Sequence, residues 1–345
     1  MLTIIIPAYE PDNKMLALID SLEANPDLNK DMKILIINDG SSREYEHIFT
    51  KAVKKGCIKL THEKNLGKGA ALKTAFSYLL ESGYQGSVVC ADCDGQHHPE
   101  DIKKVASSLP DSTKSLVLGC RDFVGKVPLK SRFGNSLTGA VYSLISGQKL
   151  KDTQTGLRAF SSELLPWLIS IKGSRYEYEM NQLLEAKAAH VTLCCIPIET
   201  IYENKNSGSH FHPVRDSIRI YMPILKYLMS SLMAGVIDFV LLFLFMKLSD
   251  SLLFSVIAAR VISSAANFFC NKILVFERKE VSLKESLVKY YLLAAFILLC
   301  NYTLMYFFTN MLHIPLLAGK ILTEVVLFFF SYQIQRLYIF RKEYA

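Results

Sequence analysis

Hydrophobic and polar positions change their rhythm along this chain. Over the first hundred residues, short apolar runs (Leu2 to Ile6, Lys33 to Ile37, Ile58 to Leu60 and Ser87 to Ala91) alternate with stretches of helical period near 13 to 24, 43 to 55 and 68 to 82. Strand and helix in alternation predict an α/β domain with a mostly parallel, Rossmann-like sheet and helices on both faces. Beyond residue 210 the alternation gives way to four long apolar windows, 224–246, 252–276, 290–312 and 315–340. Each exceeds the roughly 20 residues that a helix needs to cross a bilayer. The chain thus reads as an α/β domain over 1–210 and an all-α domain of four transmembrane helices over 226–341. In the joining stretch, 211–225, Val214, Ile218, Tyr221 and Met222 share a helical face beside Arg215 and Arg219, a pattern suited to a bilayer surface.

Composition sharpens this division. The chain has 345 residues, is 50% hydrophobic and carries a formal net charge of +7, most of it beyond residue 210. Cations gather between the second and third windows (Arg278, Lys279, Lys284, Lys289) and in the tail (Arg341, Lys342), while the other connections hold little beyond Lys247 and Asp250. The positive-inside rule then predicts that both termini and the α/β domain face the cytoplasm. Leu2 to Pro7 is too short for the apolar core of a cleavable leader. The eight cysteines are accordingly expected to be reduced thiols packed as small hydrophobes. Cys90 and Cys93 have Cys-x-x-Cys spacing, but no second pair accompanies them, which argues against zinc or redox chemistry.

In doubly wound sheets, ligands bind beyond the carboxyl ends of the strands. Polar motifs fall there four times: Pro7-Ala8-Tyr9-Glu10, Asn38-Asp39-Gly40-Ser41-Ser42, Asn65-Leu66-Gly67-Lys68-Gly69 and Asp92-Cys93-Asp94. Singly, each is a turn or a helix cap. Their recurrence on one rim points to a site. Residues i and i+2 of an extended strand face the same way, so Asp92 and Asp94 would offer hard oxygens to one Mg²⁺ or Mn²⁺ ion shared with substrate phosphates. The spacing around Lys68 is not that of a P-loop.

These motifs, together with Asp94-Gly95-Gln96-His97-His98-Pro99-Glu100-Asp101, resemble the family 2 glycosyltransferases of GT-A fold. Within them the chain is most similar to the dolichyl- and polyprenyl-phosphate mannose synthase type, over about residues 2 to 205. The resemblance implies that Pro7, Tyr9, Glu10, Asp39, Lys68 and Asp92 hold a UDP- or GDP-sugar, and that Asp92, Asp94 and Gln96 surround the metal. Glu10-Pro11 and Asn38 depart from the residues frequent in the family. The resemblance further implies that Arg121, Arg132 and Ser136 hold the phosphate of a polyprenyl phosphate acceptor. An arginine fork suits phosphate oxygens. Asp94, Arg121 and Arg132 are therefore the candidate catalytic residues. The segment Asp152 to Arg158 resembles a family turn in which Gly156 supplies backbone freedom and Asp152 and Arg158 are ion partners. Glu177 or Glu179, at the start of the next helix, would approach the sugar hydroxyls or complement the helix N-terminus.

The apolar half repeats itself. Lys226-Tyr227 and Asp238 recur as Lys289-Tyr290 and Asn301, and Asn271 to Phe276 parallels Gln335 to Phe340. This half resembles the GtrA family of four-helix membrane proteins over about 225 to 341, which implies a role in anchoring or in moving a lipid-linked sugar. Asp238, Arg260, Lys320 and Glu324 lie within its spans, where charge is costly unless it faces a partner, and would form a polar path or join helices. The expected activity is metal-dependent, inverting transfer of a hexose to polyprenyl phosphate for a cell-envelope glycan. The alternative is a transporter of lipid-linked sugars with a regulatory nucleotide-sugar module. A processive synthase is disfavoured, since no Gln-x-x-Arg-Trp signature is present. No nucleic-acid partner is expected, and a homo-oligomer stays open.

Overall fold

Uninterrupted apolar strands demand cover on both faces. In the computed structural model, which describes residues 1–29, 31–110, 114–121, 138–139, 142–143, 146–199, 213–249, 251–278 and 280–341, they receive it. The chain divides into two units, Met1–Ser217 and Ile218–Glu343.

The first unit is built on a sheet of seven strands: β1 (Leu2–Ala8), β2 (Met32–Asn38), β3 (Ile58–Thr61), β4 (Ser87–Cys90), β5 (Ser115–Arg121), β6 (Arg158–Ser161) and β7 (Thr192–Ile198). Their order is β3-β2-β1-β4-β6-β5-β7. All pairings are parallel except those of β6, which runs antiparallel to β4 and β5. Register sets Arg158 opposite both Cys90 and Leu118. The helices of this unit include α1 (Asn13–Glu23), α2 (Pro26–Asn29), α3 (Glu46–Lys54), α4 (Lys68–Glu81), α5 (Pro99–Ser107), α6 (Leu165–Ser170) and α7 (Glu177–Ala186). On one face, Ile4, Ile6, Ile34, Ile36 and Val89 pack with Met15, Ile19, Leu22, Phe49 and Ile102. On the other, Phe76 of α4 meets Phe160 of β6 edge-on at 5.3 Å. Fully burying one such isoleucine or phenylalanine stabilises the fold by about 1.5–3 kcal/mol.

The first four strands and three helices lie within a few residues of their predicted places. The antiparallel insertion of β6 was not predicted. One expectation is corrected: Cys120 and Cys195 form a disulfide rather than two reduced thiols. The sheet order makes β5 and β7 neighbours and brings the two Cα atoms to 5.6 Å. The other six cysteines are unbridged, including Cys90 and Cys93.

Among the described residues, the second unit holds four helices long and apolar enough to cross a membrane, over Tyr221–Ser249, Leu252–Val275, Leu283–Met311 and Leu316–Ile339. The first lies in α8 (Pro213–Ser249), a single helix that also contains the described part of the stretch expected at the bilayer surface. The third begins seven residues earlier than its apolar window. α9 (Leu252–Cys270), α10 (Leu283–Tyr306) and α11 (Leu316–Ile334) each continue into a π-turn, at Asn271–Val275, Phe307–Met311 and Gln335–Ile339. The internal repeat is visible in the packing. Asn271 Nδ2 donates to its counterpart Gln335 Oε1 at 3.0 Å, and Phe276 stacks on its counterpart Phe340 at 5.2 Å.

Candidate active site

The rim is assembled loop by loop. Asp39 N donates to Ala8 O at 2.9 Å and so joins the ends of β1 and β2. Just beyond, Glu10 holds a left-handed conformation (φ 49°), and its N–H donates to Ser41 Oγ at 2.8 Å. Ser41 N in turn donates to the buried Asn38 Oδ1 at 2.9 Å. The Asp39 carboxylate, also buried, reaches the third loop: Oδ1 accepts from Leu66 N (2.9 Å) and Oδ2 from Gly67 N (2.8 Å). His62 Nδ1 adds a contact to Oδ1 at 2.7 Å, while its Nε2 meets Thr74 Oγ1 at 2.8 Å. Asp39 thereby fixes the entry to α4. Gly67 is required there, because its φ of 103° is left-handed and a side chain would run into Ser174 and Arg175.

That entry aims Lys68, the first residue of α4, across the rim. Its Nζ lies 2.7 Å from Asp92 Oδ1 and 3.0 Å from Glu179 Oε1. Burial opposes the charge on Lys68, yet the two carboxylates outweigh it and raise its pKa. Burial likewise opposes the charge on Asp92, but Lys68 and then His97 hold its pKa well below the usual carboxylate range. His97 Nε2 stands 3.6 Å from Asp92 Oδ2, and neither ring nitrogen has a hydrogen-bond partner among the described residues. Asp94 is the opposite case: burial and the neighbouring Asp92 raise its pKa, against the pull of Gln96 N donating to its Oδ1 at 3.0 Å. Among the described residues no ion pair involves Asp94. The Cys93 thiol between them is pushed up to about 12 by burial and by both aspartates, and so stays protonated.

Two details differ from expectation. Asp92 and Asp94 do not sit on a strand, because β4 ends at Cys90; the chain leaves the sheet after Ala91 N donates to Ile5 O and turns at Gly95 (φ 75°). And Gly156 serves close approach rather than backbone freedom, since a Cβ there would collide with the Asp92 carboxylate. The turn from Asp152 to Arg158 thus lies directly against Asp92.

That turn also organises two arginines. Arg121, at the end of β5, grips the fully buried Asp152 with a fork, Nε to Oδ2 at 2.6 Å and Nη2 to Oδ1 at 3.1 Å. Arg158 is not the partner of Asp152. It is buried and donates to Thr155 O (3.1 Å), Glu179 O (2.8 Å) and Gln182 Oε1 (2.6 Å). Glu177 accepts from Ser174 N (3.0 Å) and Arg175 N (3.2 Å), closing the loop before α7, while Glu179 goes to Lys68. The sequence offered no sign of the Lys68–Glu179 contact, nor of His97 as a neighbour of Asp92, beyond its place in the Gln96-His97 dipeptide. Arg132 and Ser136 lie outside the described residues.

The structure therefore brings Glu10, Asp39, Lys68, Asp92 and Asp94 into one connected rim. The four polar membrane residues belong to the other unit. There Arg260 Nη2 lies 3.2 Å from Asp238 Oδ2, which also accepts through Oδ1 from Ser263 Oγ at 2.9 Å. Lys320 Nζ lies 2.6 Å from Glu324 Oε1, and Asn301 Nδ2 donates to the same oxygen at 3.2 Å.

The profile of glycosyl transferase family 2 matches residues 3–165. An uncharacterized protein of Methanocaldococcus jannaschii is 32% identical over 207 residues, covering 58% of this chain and 81% of that protein. The chain belongs to glycosyl transferase family 2. It is also 30% identical over 221 residues to the UDP-N-acetylglucosamine–dolichyl-phosphate N-acetylglucosaminyltransferase of Methanococcus voltae, covering 59% of this chain and 86% of the relative. The profile of the GtrA/DPMS transmembrane domain matches residues 226–340, so the protein is a membrane-bound family 2 glycosyltransferase. Among solved structures, the glucosyl-3-phosphoglycerate synthase of Mycobacterium tuberculosis, crystallised with Mn²⁺, UDP and phosphoglyceric acid, superposes with a TM-score of 0.49 at 16% identity, covering 67% of this chain and 78% of that one.

Hard oxygens suit Mg²⁺ or Mn²⁺, and the rim's donor set fits. Asp94 is a partly buried carboxyl whose pKa is raised by burial and by the neighbouring Asp92. No cluster of three or more histidine, cysteine, aspartate or glutamate side chains stands ready for a metal among the described residues. Two carboxylates completed by substrate phosphates is the expected pattern for magnesium.

Proposed function

We propose that this family 2 glycosyltransferase moves a hexose from a UDP- or GDP-sugar to the phosphate of a polyprenyl lipid, with inversion at the anomeric carbon. The observation that carries the reading is the Asp92–Asp94 pair, set on the rim beside Lys68 and against the turn that holds Arg121 through Asp152. The named activity of the Methanococcus voltae relative supports a dolichyl-type phosphate as acceptor.

Each group has a task. The loops at Tyr9, Glu10 and Asp39 shape the seat of the nucleoside, and Lys68 at the start of α4 faces its phosphates. Asp92, Asp94 and Gln96 would hold a divalent cation, which would neutralise charge on the departing nucleoside diphosphate. Arg121, oriented by Asp152, and Arg132 with Ser136 position the acceptor phosphate for in-line attack. A phosphate monoester, with a second pKa of about 6, is already largely ionised at neutral pH, so no general base is needed. Charge placement carries the catalysis.

We infer that the α/β unit and both termini face the cytoplasm, because Arg278, Lys284, Lys289 and Arg341 mark one membrane side. The helical unit then anchors the enzyme where its lipid acceptor resides. The test is to incubate purified full-length protein with undecaprenyl or dolichyl phosphate and a panel of UDP- and GDP-sugars, reading lipid products by mass spectrometry. One sugar nucleotide yielding a glycosyl phosphoryl lipid is the expected result. No glycolipid from any donor would refute the reading and favour a transporter.

A further inference from the structure

Asp92 already has a cation. Lys68 Nζ sits 2.7 Å from one carboxylate oxygen, and Gly156 closes against the group from the other side. Lys68 is in turn suspended between two anions, with Glu179 Oε1 at 3.0 Å. Glu179 is fixed from behind, its main-chain oxygen accepting from the buried Arg158 Nη1 at 2.8 Å. A divalent cation arriving alone at Asp92 must displace this ammonium and then remain next to it. Like charges a few ångströms apart in a partly buried site repel strongly. A nucleoside diphosphate removes the conflict, because it offers Lys68 a second anion at the N-terminus of α4, where anions are favoured.

We propose that Lys68 is the resident counterion of Asp92 and withholds that carboxylate from a divalent cation until a nucleoside diphosphate takes the ammonium over. This rests on the reading that Asp92 and Asp94 hold the cation. The ammonium pivots on Glu179, leaving Asp92 for the phosphates. The cost of separating Lys68 from Asp92 is then met once for two ligands, so cation and diphosphate bind with positive linkage, and each tightens the other by the same factor. The site loads as a pair and holds metal only weakly while the donor is absent.

The test is Mn²⁺ binding to detergent-solubilised full-length protein, followed by electron paramagnetic resonance, with and without UDP or GDP. The wild type binds Mn²⁺ weakly alone and tightens on adding the diphosphate. Contacts of this kind move metal affinity by roughly 10- to 100-fold, so Lys68→Gln should bind Mn²⁺ alone about tenfold more tightly than wild type, while Lys68→Arg should behave as wild type. A residue that only binds phosphate, or only supports the fold, would not improve metal binding when removed. Lys68→Gln binding Mn²⁺ alone no more tightly than wild type overturns the proposal. A second arm needs no variant: amine acylation of Lys68 in wild type, read by mass spectrometry, should rise with saturating Mn²⁺ and fall again when UDP or GDP joins it. Labelling indifferent to Mn²⁺ also overturns it. Mn²⁺ binding that is absent even with diphosphate, or unaffected by Asp94→Asn, defeats the metal reading itself and takes this inference with it.

Discussion

The α/β rim and the interior of the helical unit handle buried polar groups in opposite ways. At the rim the groups are charged: Asp92, Lys68 and Glu179 hold one another, and Asp94 stands beside them among the described residues without an ion partner. Between the helices a connected chain of neutral groups is buried, while the ion pairs Asp238–Arg260 and Lys320–Glu324 stand apart from it and the buried Lys272 donates to a main-chain oxygen, that of Val281. Tyr227 OH donates to Ser331 Oγ (2.9 Å), Gln335 Nε2 to Tyr227 OH (2.9 Å), Asn271 Nδ2 to Gln335 Oε1 (3.0 Å) and Asn267 Oδ1 (2.9 Å), and Tyr290 OH to the same Asn267 oxygen (2.8 Å). A charged cluster can change partners when a charged ligand arrives, whereas a neutral chain of amides and hydroxyls gains nothing by opening. One arrangement suits a site that exchanges charged ligands, and the other ties helices together.

The sharpest way to break this contrast is Asp94→Asn. On the proposed reading it removes a cation ligand, and turnover should fall by roughly 10³-fold, measured as nucleoside diphosphate release. Stability should move the other way. A carboxyl whose folded pKa is raised binds its proton more tightly folded than unfolded, so its ionisation costs stability at neutral pH and the cost is relieved as pH falls. The metal-free variant should therefore be no less stable than wild type at pH 7 by thermal denaturation. A variant that unfolds would make Asp94 structural, like the amides between the helices.

Gly156→Ala ranks next. The added Cβ must push the Asp92 carboxylate aside, so cation affinity in the presence of nucleoside diphosphate should fall by roughly 10- to 100-fold. Mn²⁺ titration checks this, and unchanged affinity would mean that the turn at 152–158 does not set the position of Asp92. The raised Asp94 pKa gives a third test. Protons compete for this ligand, so cation affinity should drop as pH falls through a range above the ordinary aspartate value of about 3.9, and Asp94→Asn should flatten that dependence. The smallest effect is expected in the other region: Gln335→Leu strands Tyr227 and Asn271 and should cost about 0.5–2 kcal/mol of stability. Turnover per folded molecule should stay within about twofold of wild type, well under 1 kcal/mol on the barrier. A large catalytic loss there would erase the distinction between the two regions.

Much of this organisation was legible in the chain, for identifiable reasons. The runs at Leu2, Lys33 and Ser87 announced their strands because most of each is apolar and buried within the sheet, whereas the run at Ile58 marks a half-buried edge strand. The four membrane windows were legible because a bilayer demands length and hydrophobicity together. The rim motifs were visible as clusters of glycine, asparagine and aspartate at strand ends. What escaped depends on tertiary neighbours. Nothing local to Glu179 says that it faces Lys68, 111 positions earlier, and nothing near Cys120 names Cys195, because both pairs follow from sheet order. Gly156 was recognised as necessary for the wrong reason, since the carboxylate it admits belongs to another loop.

The central claim is that a cation held by Asp92 and Asp94 and a lipid phosphate act on one donor molecule. It is tested most directly by measuring nucleoside diphosphate release from the accepted sugar nucleotide by the purified full-length protein, with Mn²⁺ and polyprenyl phosphate each present or omitted. The account predicts rapid release only when both are present, restored after chelation by adding Mn²⁺ back and absent in Asp94→Asn. Release that proceeds equally without the lipid phosphate, or undiminished in Asp94→Asn, would contradict it.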